Sequence, residues 1–262
     1  MLVYPQLPSG AVCQYPVRKI RKTRTIVNEG LDGSTVRFAD YGERTCQWTL
    51  EYQGLSDSEL QLLREFFESV EGRLKGFTFV DPTANLLLWT EDLNRDVWAK
   101  EPFFVVTGGI DDPKDGTKAW NALNNGSADA RMGQTLNVPG AYEYCFSVYV
   151  RGAANSEVRL LRGNTAQIEK VGPEWKRIRM SGRPEGGAQS TEFGLELAPG
   201  ATATLFGPQL EVQPAASAYR TTKSRGGVYT DARFMEDRLA VTTTGPNEHS
   251  CVLRVLANAY NI

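Results

Sequence analysis

Histidine is almost missing from this chain, and that scarcity removes most metal and nucleophile chemistry. Only His249 is an imidazole among 262 residues, so a cage of two or three histidines cannot form within one chain. A Ser-His-Asp or Cys-His device would have to use His249. That residue sits in Gly245-Pro246-Asn247-Glu248-His249-Ser250, a turn-like stretch, and reads as a surface-loop histidine. Cysteine is sparse too. Cys13, Cys46, Cys145 and Cys251 lie far apart with no Cys-x-x-Cys pair, which fits buried free thiols better than zinc or a disulfide frame. No run of about 18 apolar residues occurs, so no membrane-spanning helix is expected. The stretch from Met1 to Pro8 lacks a charged region followed by an apolar one, so no signal peptide is expected and assembly in a cytoplasm is. Neither charge sign is in excess: 29 Lys and Arg against 31 Asp and Glu leave −2, which disfavours a globally basic nucleic-acid binder. A glycine-rich phosphate loop, a dinucleotide fingerprint and a nucleophile elbow are all missing, so no enzyme is expected.

What is present suits a turn-rich β protein. Hydrophobic residues make 41% and charged residues 23%, with 25 Gly and 13 Pro, enough to bury a core. Tyr15 to Asn28 is a charged strand region, Leu31-Asp32-Gly33-Ser34 a turn, and Thr35 to Ala39 resumes an extended pattern. Cys46, Trp48, Leu50 and Tyr52 then alternate with polar residues, a strand with one apolar face. One helix follows. Ser56 with Glu59 forms a capping box; Leu60, Leu63, Phe67 and Val70 make an apolar stripe; Gly72 suits the left-handed position that ends it. From 85 to 220 about eight short strands are separated by turns, with one short helical piece near Glu91 to Trp98. The strand count predicts a β-sandwich of jelly-roll type. After the polar stretch from Thr221 to Gly227, three more strands appear. Three strands cannot bury a core alone, so they are expected to return to the first sheet. The predicted organisation is thus an all-β chain with one short helix: residues 1–82, completed by 228–262, and an inserted jelly roll over 83–227.

Two stretches look familiar. Gly54-Leu55-Ser56-Asp57-Ser58-Glu59-Leu60 through Phe66-Phe67, then Glu71-Gly72-Arg73-Leu74-Lys75-Gly76-Phe77-Thr78-Phe79-Val80-Asp81-Pro82, resembles the distal tail proteins of long-tailed phages and gene-transfer agents. Asn85 to Leu93 with Trp98, Asp112 to Trp120, Tyr144 to Val150, Gly207 to Val212 and Ala218-Tyr219 resemble the carbohydrate-binding-module-like jelly rolls of phage tail proteins. Together the resemblances imply a structural virion protein at the distal tip of the tail. It would be a hexameric adaptor ring that joins the tail tube protein to baseplate hub or tail-tip proteins. Its jelly roll would be a peripheral module for host-surface glycans. The alternative is a carbohydrate-binding adhesin for host attachment; a tail-associated glycan hydrolase ranks below both.

Several groups are candidates for the chemistry. Arg18, Lys19, Arg21, Lys22 and Arg24 place five cations in seven residues. No aromatic platform is interleaved with them, and neighbouring side chains on a strand face opposite ways. An edge strand or subunit contact is preferred to a nucleic-acid patch, and its acidic partners in a ring would be Asp40, Glu43, Asp231 or Glu236. Trp89, Trp120 and Trp175 lie in strand-like contexts and read as core, which leaves Trp98 and Tyr142 as the carbohydrate-binding candidates. Asp111, Asp112 and Asp115 beside Gly116 form an acidic turn that lacks the EF-hand spacing. A solvated turn is preferred there to a structural calcium, and no cofactor is assigned. Glu143, Glu157, Glu192 and Glu196 lie in strands, with no pairing signal for glycoside hydrolysis.

Overall fold

A computed structural model of the chain describes residues 2–184 and 186–259. The N-terminal part contains β1 (Arg18–Glu29), β2 (Thr35–Leu55), α1 (Asp57–Ser69) and β3 (Phe77–Val80). There follow β4 (Ala99–Lys100), β5 (Phe104–Ile110), β6 (Ala119–Asn124), β7 (Ala130–Leu136), β8 (Tyr144–Arg151) and β9 (Ser156–Arg162). Then come β10 (Thr165–Val171), β11 (Lys176–Gly182), β12 (Thr191–Leu197) and β13 (Thr202–Glu211). The chain closes with β14 (Val228–Phe234), β15 (Val241–Gly245) and β16 (Glu248–Asn258). It divides into two compact units, residues 2–80 with 228–259 and residues 81–227. The boundary falls two residues earlier than the sequence pattern placed it, because Val80 still pairs with Val228 in the first unit.

The first unit is a six-stranded sheet in the order β1-β2-β16-β14-β3, with β15 beside β16. Alternation in β2 explains its inner face: Cys46, Trp48, Leu50 and Tyr52 are buried while their neighbours are not. The helix is capped as its residues dictate. Ser56 Oγ accepts from the Glu59 backbone N–H at 3.2 Å, and Glu59 Oε2 accepts from the Ser56 N–H at 3.0 Å. Leu60, Leu63 and Val70 are buried, whereas Phe66 and Phe67 are half-buried and meet Tyr4, Phe77 and Phe234 edge-on or tilted. The helix ends one residue earlier than expected: Val70 is the C-cap and Glu71, at φ 53°, is the first left-handed residue, while Gly72, at φ 59°, is left-handed as expected. Glu71 N–H donates to Glu68 C=O and Gly72 N–H to Phe67 C=O, the two bonds that satisfy orphan carbonyls at a helix end.

The second unit is a β-sandwich of two five-stranded sheets, β10-β9-β12-β7-β4 and β11-β8-β13-β6-β5. Inward residues of one sheet include Met132, Leu160, Phe193 and Leu195; those of the other include Phe146, Val148, Val150 and Leu205. Tyr144 and Phe193 meet across the core at 5.4 Å. Ten strands replace the eight expected; β4 and β10 are the additions. The helical piece near Glu91 to Trp98 is not formed. Trp89 to Trp98 makes three successive turns instead, each closed by an i to i+3 bond, with Trp89 at φ 49°.

The two ends of the insert lie side by side, and one residue holds them. Asn85 is buried. Its Oδ1 accepts from Leu87 N–H at 3.1 Å and Leu210 N–H at 3.0 Å, while its Nδ2 donates to Pro208 C=O and Arg220 C=O, each at 3.1 Å. Asp81 N–H donates to Gly227 C=O at 2.7 Å. Thr222 Oγ1 donates to Leu87 C=O at 2.7 Å. Leaving a buried donor or acceptor unpaired costs about 1–3 kcal/mol. Asn85→Ala is therefore expected to destabilise the chain by at least about 3 kcal/mol in denaturant unfolding. A loss under about 1 kcal/mol would mean that other groups hold the ends.

Candidate functional site

Two surfaces are left over once the folding requirements are met, one on each unit. The first is a hairpin arm. β16 pairs with β2 only from Thr45 to Leu55, so the hairpin beyond that point is two-stranded. Its distal part pairs Arg24–Glu29 with Thr35–Asp40, and a bulge of Tyr41 to Arg44 opposite Thr23 separates it from the sheet. Directly paired residues share a face. One face therefore carries Ile26 with Phe38 and Asn28 with Val36; the other carries Val27 with Arg37. Ile26, Val27, Val36 and Phe38 are all exposed, as is Leu31 at the tip. A two-stranded hairpin is marginal by itself in water, and this one exposes its apolar side chains on both faces.

The five cations of β1 lie along its length, and β1 is the edge strand. They are not equivalent. Lys19 Nζ lies 5.3 Å from the centre of the Trp48 ring and covers it, Arg24 meets Asp40 at 3.7 Å, and Arg18, Arg21 and Lys22 are exposed. Three of the four acidic partners expected from another subunit are engaged within the chain: Asp40 by Arg24, Asp231 by Arg233 at 3.2 Å, and Glu236 by Arg254. Arg24–Asp40 and Arg254–Glu236 join distant stretches of sequence, which reading along one strand does not detect, whereas Asp231 and Arg233 lie two residues apart on β14. Phe38 and Tyr41 of β2 are exposed, with Arg44 over the Tyr41 ring at 4.2 Å; Phe38 pairs with Ile26, beyond the five cations.

On the second unit the tryptophans exchange roles. Trp98, expected to be free, is 1% exposed and donates from Nε1 to Trp89 C=O at 3.1 Å. The three turns before it fold it back into the core, so it offers no stacking face. Tyr142 is half-buried and lies on Tyr144, ring centres 6.4 Å apart. Trp89, Trp120 and Trp175, expected in the core, are only half-buried. Trp89 carries Arg95 over its ring at 4.2 Å, and Trp120 Nε1 donates to Glu91 C=O at 3.2 Å. Trp175 lies beneath the Arg151 guanidinium at 4.8 Å. Strand phase in the sequence carried that signal: Ile178 and Met180 point inward, so Trp175, Arg177 and Arg179 point outward.

That outward face carries a polar row. Arg151 pairs with Thr204, Thr204 with Asn121, and Asn121 with Thr107. With Trp175 at one end, the row crosses the whole five-stranded sheet. Further along, the same face is covered by the segment after β13. Glu211, fully buried, accepts from Gln209 Nε2 at 2.8 Å and from Ser217 N–H at 2.9 Å, and Arg177 donates to Ser217 C=O at 2.5 Å. Tyr219 then packs on Phe206 at 5.2 Å, over Gly207, where a Cβ would come within 2.9 Å of its ring. In the covered part Glu211, Gln209 and Ser147 are all hydrogen-bonded, while the Arg177 Nε is buried without a partner; the row from Trp175 to Thr107 is the open part.

The acidic turn is closed on itself. Asp112 Oδ1 accepts from Lys114 N–H at 2.8 Å and Gly116 N–H at 3.3 Å, and Oδ2 from Lys118 N–H at 3.0 Å. Its carboxylate shapes the loop, and no group of three or more possible metal ligands occurs among the described residues. Of the strand glutamates, Glu196 is held by Arg159 at 2.7 Å and Arg131 at 3.3 Å in an ion network. Glu143 faces Arg183 at 3.8 Å. All four cysteines are buried free thiols, and burial pushes the Cys251 thiol up to about 11. Among the described residues no helix is long and apolar enough to cross a membrane.

No protein-family model matches the chain, and no curated protein matches it. Solved structures resemble it at low identity. The enzymatically active domain of bacteriophage CBA120 tailspike protein 4 is 14% identical over 51% of this chain, with a TM-score of 0.39; the match spans 22% of the tailspike chain. The C-terminal family 22 carbohydrate binding module of Clostridium thermocellum Xyn10B is 16% identical over 53% of this chain and 99% of its own, TM-score 0.40. TmCBM61, in complex with β-1,4-galactotriose, is 12% identical over 43% of this chain and 85% of its own, TM-score 0.34. Likenesses of this order say nothing of what the chain binds.

The Asp112 loop gives a pH test. Burial works against its charge, but backbone N–H donors from Lys118, Lys114 and Gly116 outweigh burial and hold the carboxyl below the ordinary range. A depressed folded-state value stabilises the native chain above the unfolded value, and that stability is lost as pH falls through the folded one. Asp112→Asn is therefore expected to be less stable than the parent at neutral pH, with the gap closing only in acid below the usual carboxylate range. A gap that does not change with pH contradicts this role.

Proposed function

We propose that the chain is a structural, non-enzymatic subunit of a phage tail. It is a distal adaptor that closes into a hexameric ring between tail tube and baseplate, and the arm is its assembly element. The arm's exposed apolar side chains carry this reading. A hairpin with apolar residues on both faces is held best between neighbours, and an edge strand of open N–H and C=O groups offers them a template. Charge points to another copy of the same chain. Residues 18–24, at the base of the arm, hold five Lys and Arg and no Asp or Glu, which leaves 24 against 31 on the rest of the chain. A basic edge strand on an acidic body is complementary to the next body, head to tail, and such a contact closes into a ring when its rotation permits.

A second reading, a glycan-binding module for host attachment, is favoured by the polar row on the β-sandwich. The two readings are compatible, because a ring repeats a modest site at fixed geometry and gains avidity from repetition.

Light scattering or sedimentation of the purified chain tests the first reading. An assembly of several copies is expected, loosened by salt because the arm's charges set register more than affinity. Phe38→Asp should weaken association about tenfold or more, with the melting temperature unchanged. A monomer at every concentration, or assembly indifferent to Phe38→Asp, would defeat the arm as the assembly element.

A further inference from the structure

The row from Trp175 to Thr107 has hydrogen-bonding capacity that folding does not use. Arg151, Thr204, Asn121 and Thr107 are directly paired across β8, β13, β6 and β5, so their side chains stand on one face. That face is the outer one, because Val150, Leu205 and Ala122 occupy the buried face of the same strands. Adjacent strands lie about 4.8 Å apart, so the row is about 19 Å long from Trp175 to Thr107. Where the covering segment lies on this sheet, Gln209, Glu211 and Ser147 are buried and bonded to that segment or to Arg177. In the open row the four polar side chains make no hydrogen bond or ion pair with any described residue. Arg151 makes one contact of note, its guanidinium carbon lying over the Trp175 ring at 4.8 Å from the ring centre, and its N–H donors have no partner among the described residues.

We infer that this row binds an acidic oligosaccharide, with a carboxylate or sulfate of the sugar chain seated on Arg151. The inference rests on the glycan-binding reading above and names the class of glycan. A guanidinium resting over an indole, with its N–H donors unused by the fold, can receive a carboxylate or sulfate through paired hydrogen bonds. No carboxylate stands in the row to compete with a ligand anion. Asn121 supplies both amide donors and an acceptor, and Thr204 and Thr107 supply hydroxyls, the mixed donors and acceptors that sugar hydroxyls require. The row is longer than one sugar unit, so a chain of several units laid across the strands suits it. A nucleic acid fits less well: its phosphates call for several cations along the track and its bases for several stacking rings, whereas the row has one cation and one ring.

The test is calorimetric titration of the full chain with oligogalacturonate and with its methyl-esterified, uncharged counterpart, beside oligoalginate, a chondroitin sulfate oligosaccharide and a single-stranded oligonucleotide. At least one acidic glycan is expected to bind and to change tryptophan fluorescence. Its uncharged counterpart should bind about tenfold more weakly or worse, and binding should weaken with salt. Arg151→Gln should lower affinity for the acidic glycan about tenfold or more, and Asn121→Ala severalfold, both with unchanged melting temperature. Uncharged glycan bound as tightly as charged, with Arg151→Gln silent, overturns the acidic class while the glycan-binding reading survives. No glycan bound at all overturns both. Oligonucleotide binding that depends on Arg151 assigns the row to nucleic acid and overturns the inference as well.

Discussion

The side-chain amide of Asn85 uses all of its hydrogen-bonding capacity on four backbone groups drawn from both ends of the inserted segment. Much else depends on that closure. Strands β3 and β14 belong to one sheet, yet the whole β-sandwich lies between them in sequence, and Val80 must still find Val228. An unstructured loop of that length would add a closure entropy that grows with the logarithm of its length. A folded insert whose ends are already fixed side by side removes that term. The first unit can then complete its sheet from two distant pieces of chain, bringing Phe234 against Phe66, Phe67 and Phe77, and Tyr229 against Trp48.

Two surfaces, the row beside Trp175 and the hairpin arm, carry groups that folding does not use. Several buried polar groups in the β-sandwich are matched within the chain: Asp112 by three backbone N–H groups, Glu211 by Ser217 and Gln209, Asn124 by Ala128 and Leu197 carbonyls. The row beside Trp175 makes no such bonds with the described residues, and the proposed glycan site is built on it. The arm is the apolar counterpart. Its Ile26, Phe38 and Val36 contribute nothing to a core and would be a liability on a solitary molecule. One surface is polar and suits a hydrated ligand, while the other is apolar with cations and suits a protein neighbour.

Local signals were legible in the sequence wherever a single period or cap decided the structure. The capping box at Ser56 and Glu59 fixed the helix start, and the alternation from Cys46 to Tyr52 identified the inner face of β2. Failures came where the third dimension decided. Trp98 sits in a stretch rich in turn residues and reads as exposed, but three consecutive turns curl it under its own segment. β10 alternates weakly and leaves Ile168 exposed, so its pairing with β9 came from the Gly163-Asn164 turn rather than from an apolar face. Glu71 enters the left-handed region one residue before Gly72, which is left-handed as well, so the glycine marked the helix end to within one residue. The arm's aromatic residues were hidden for a different reason. They lie on the strand opposite the cations, more than ten residues away in sequence, and only the register brings Phe38 beside Ile26.

The central claim is that this chain is a ring-forming subunit whose arm engages the next copy. Electron microscopy of the purified full-length chain tests it most directly. The account predicts closed rings of one size, with density bridging each pair of neighbours at the position of the hairpin arm. Isolated single copies, or open filaments with no closed particles, would contradict it.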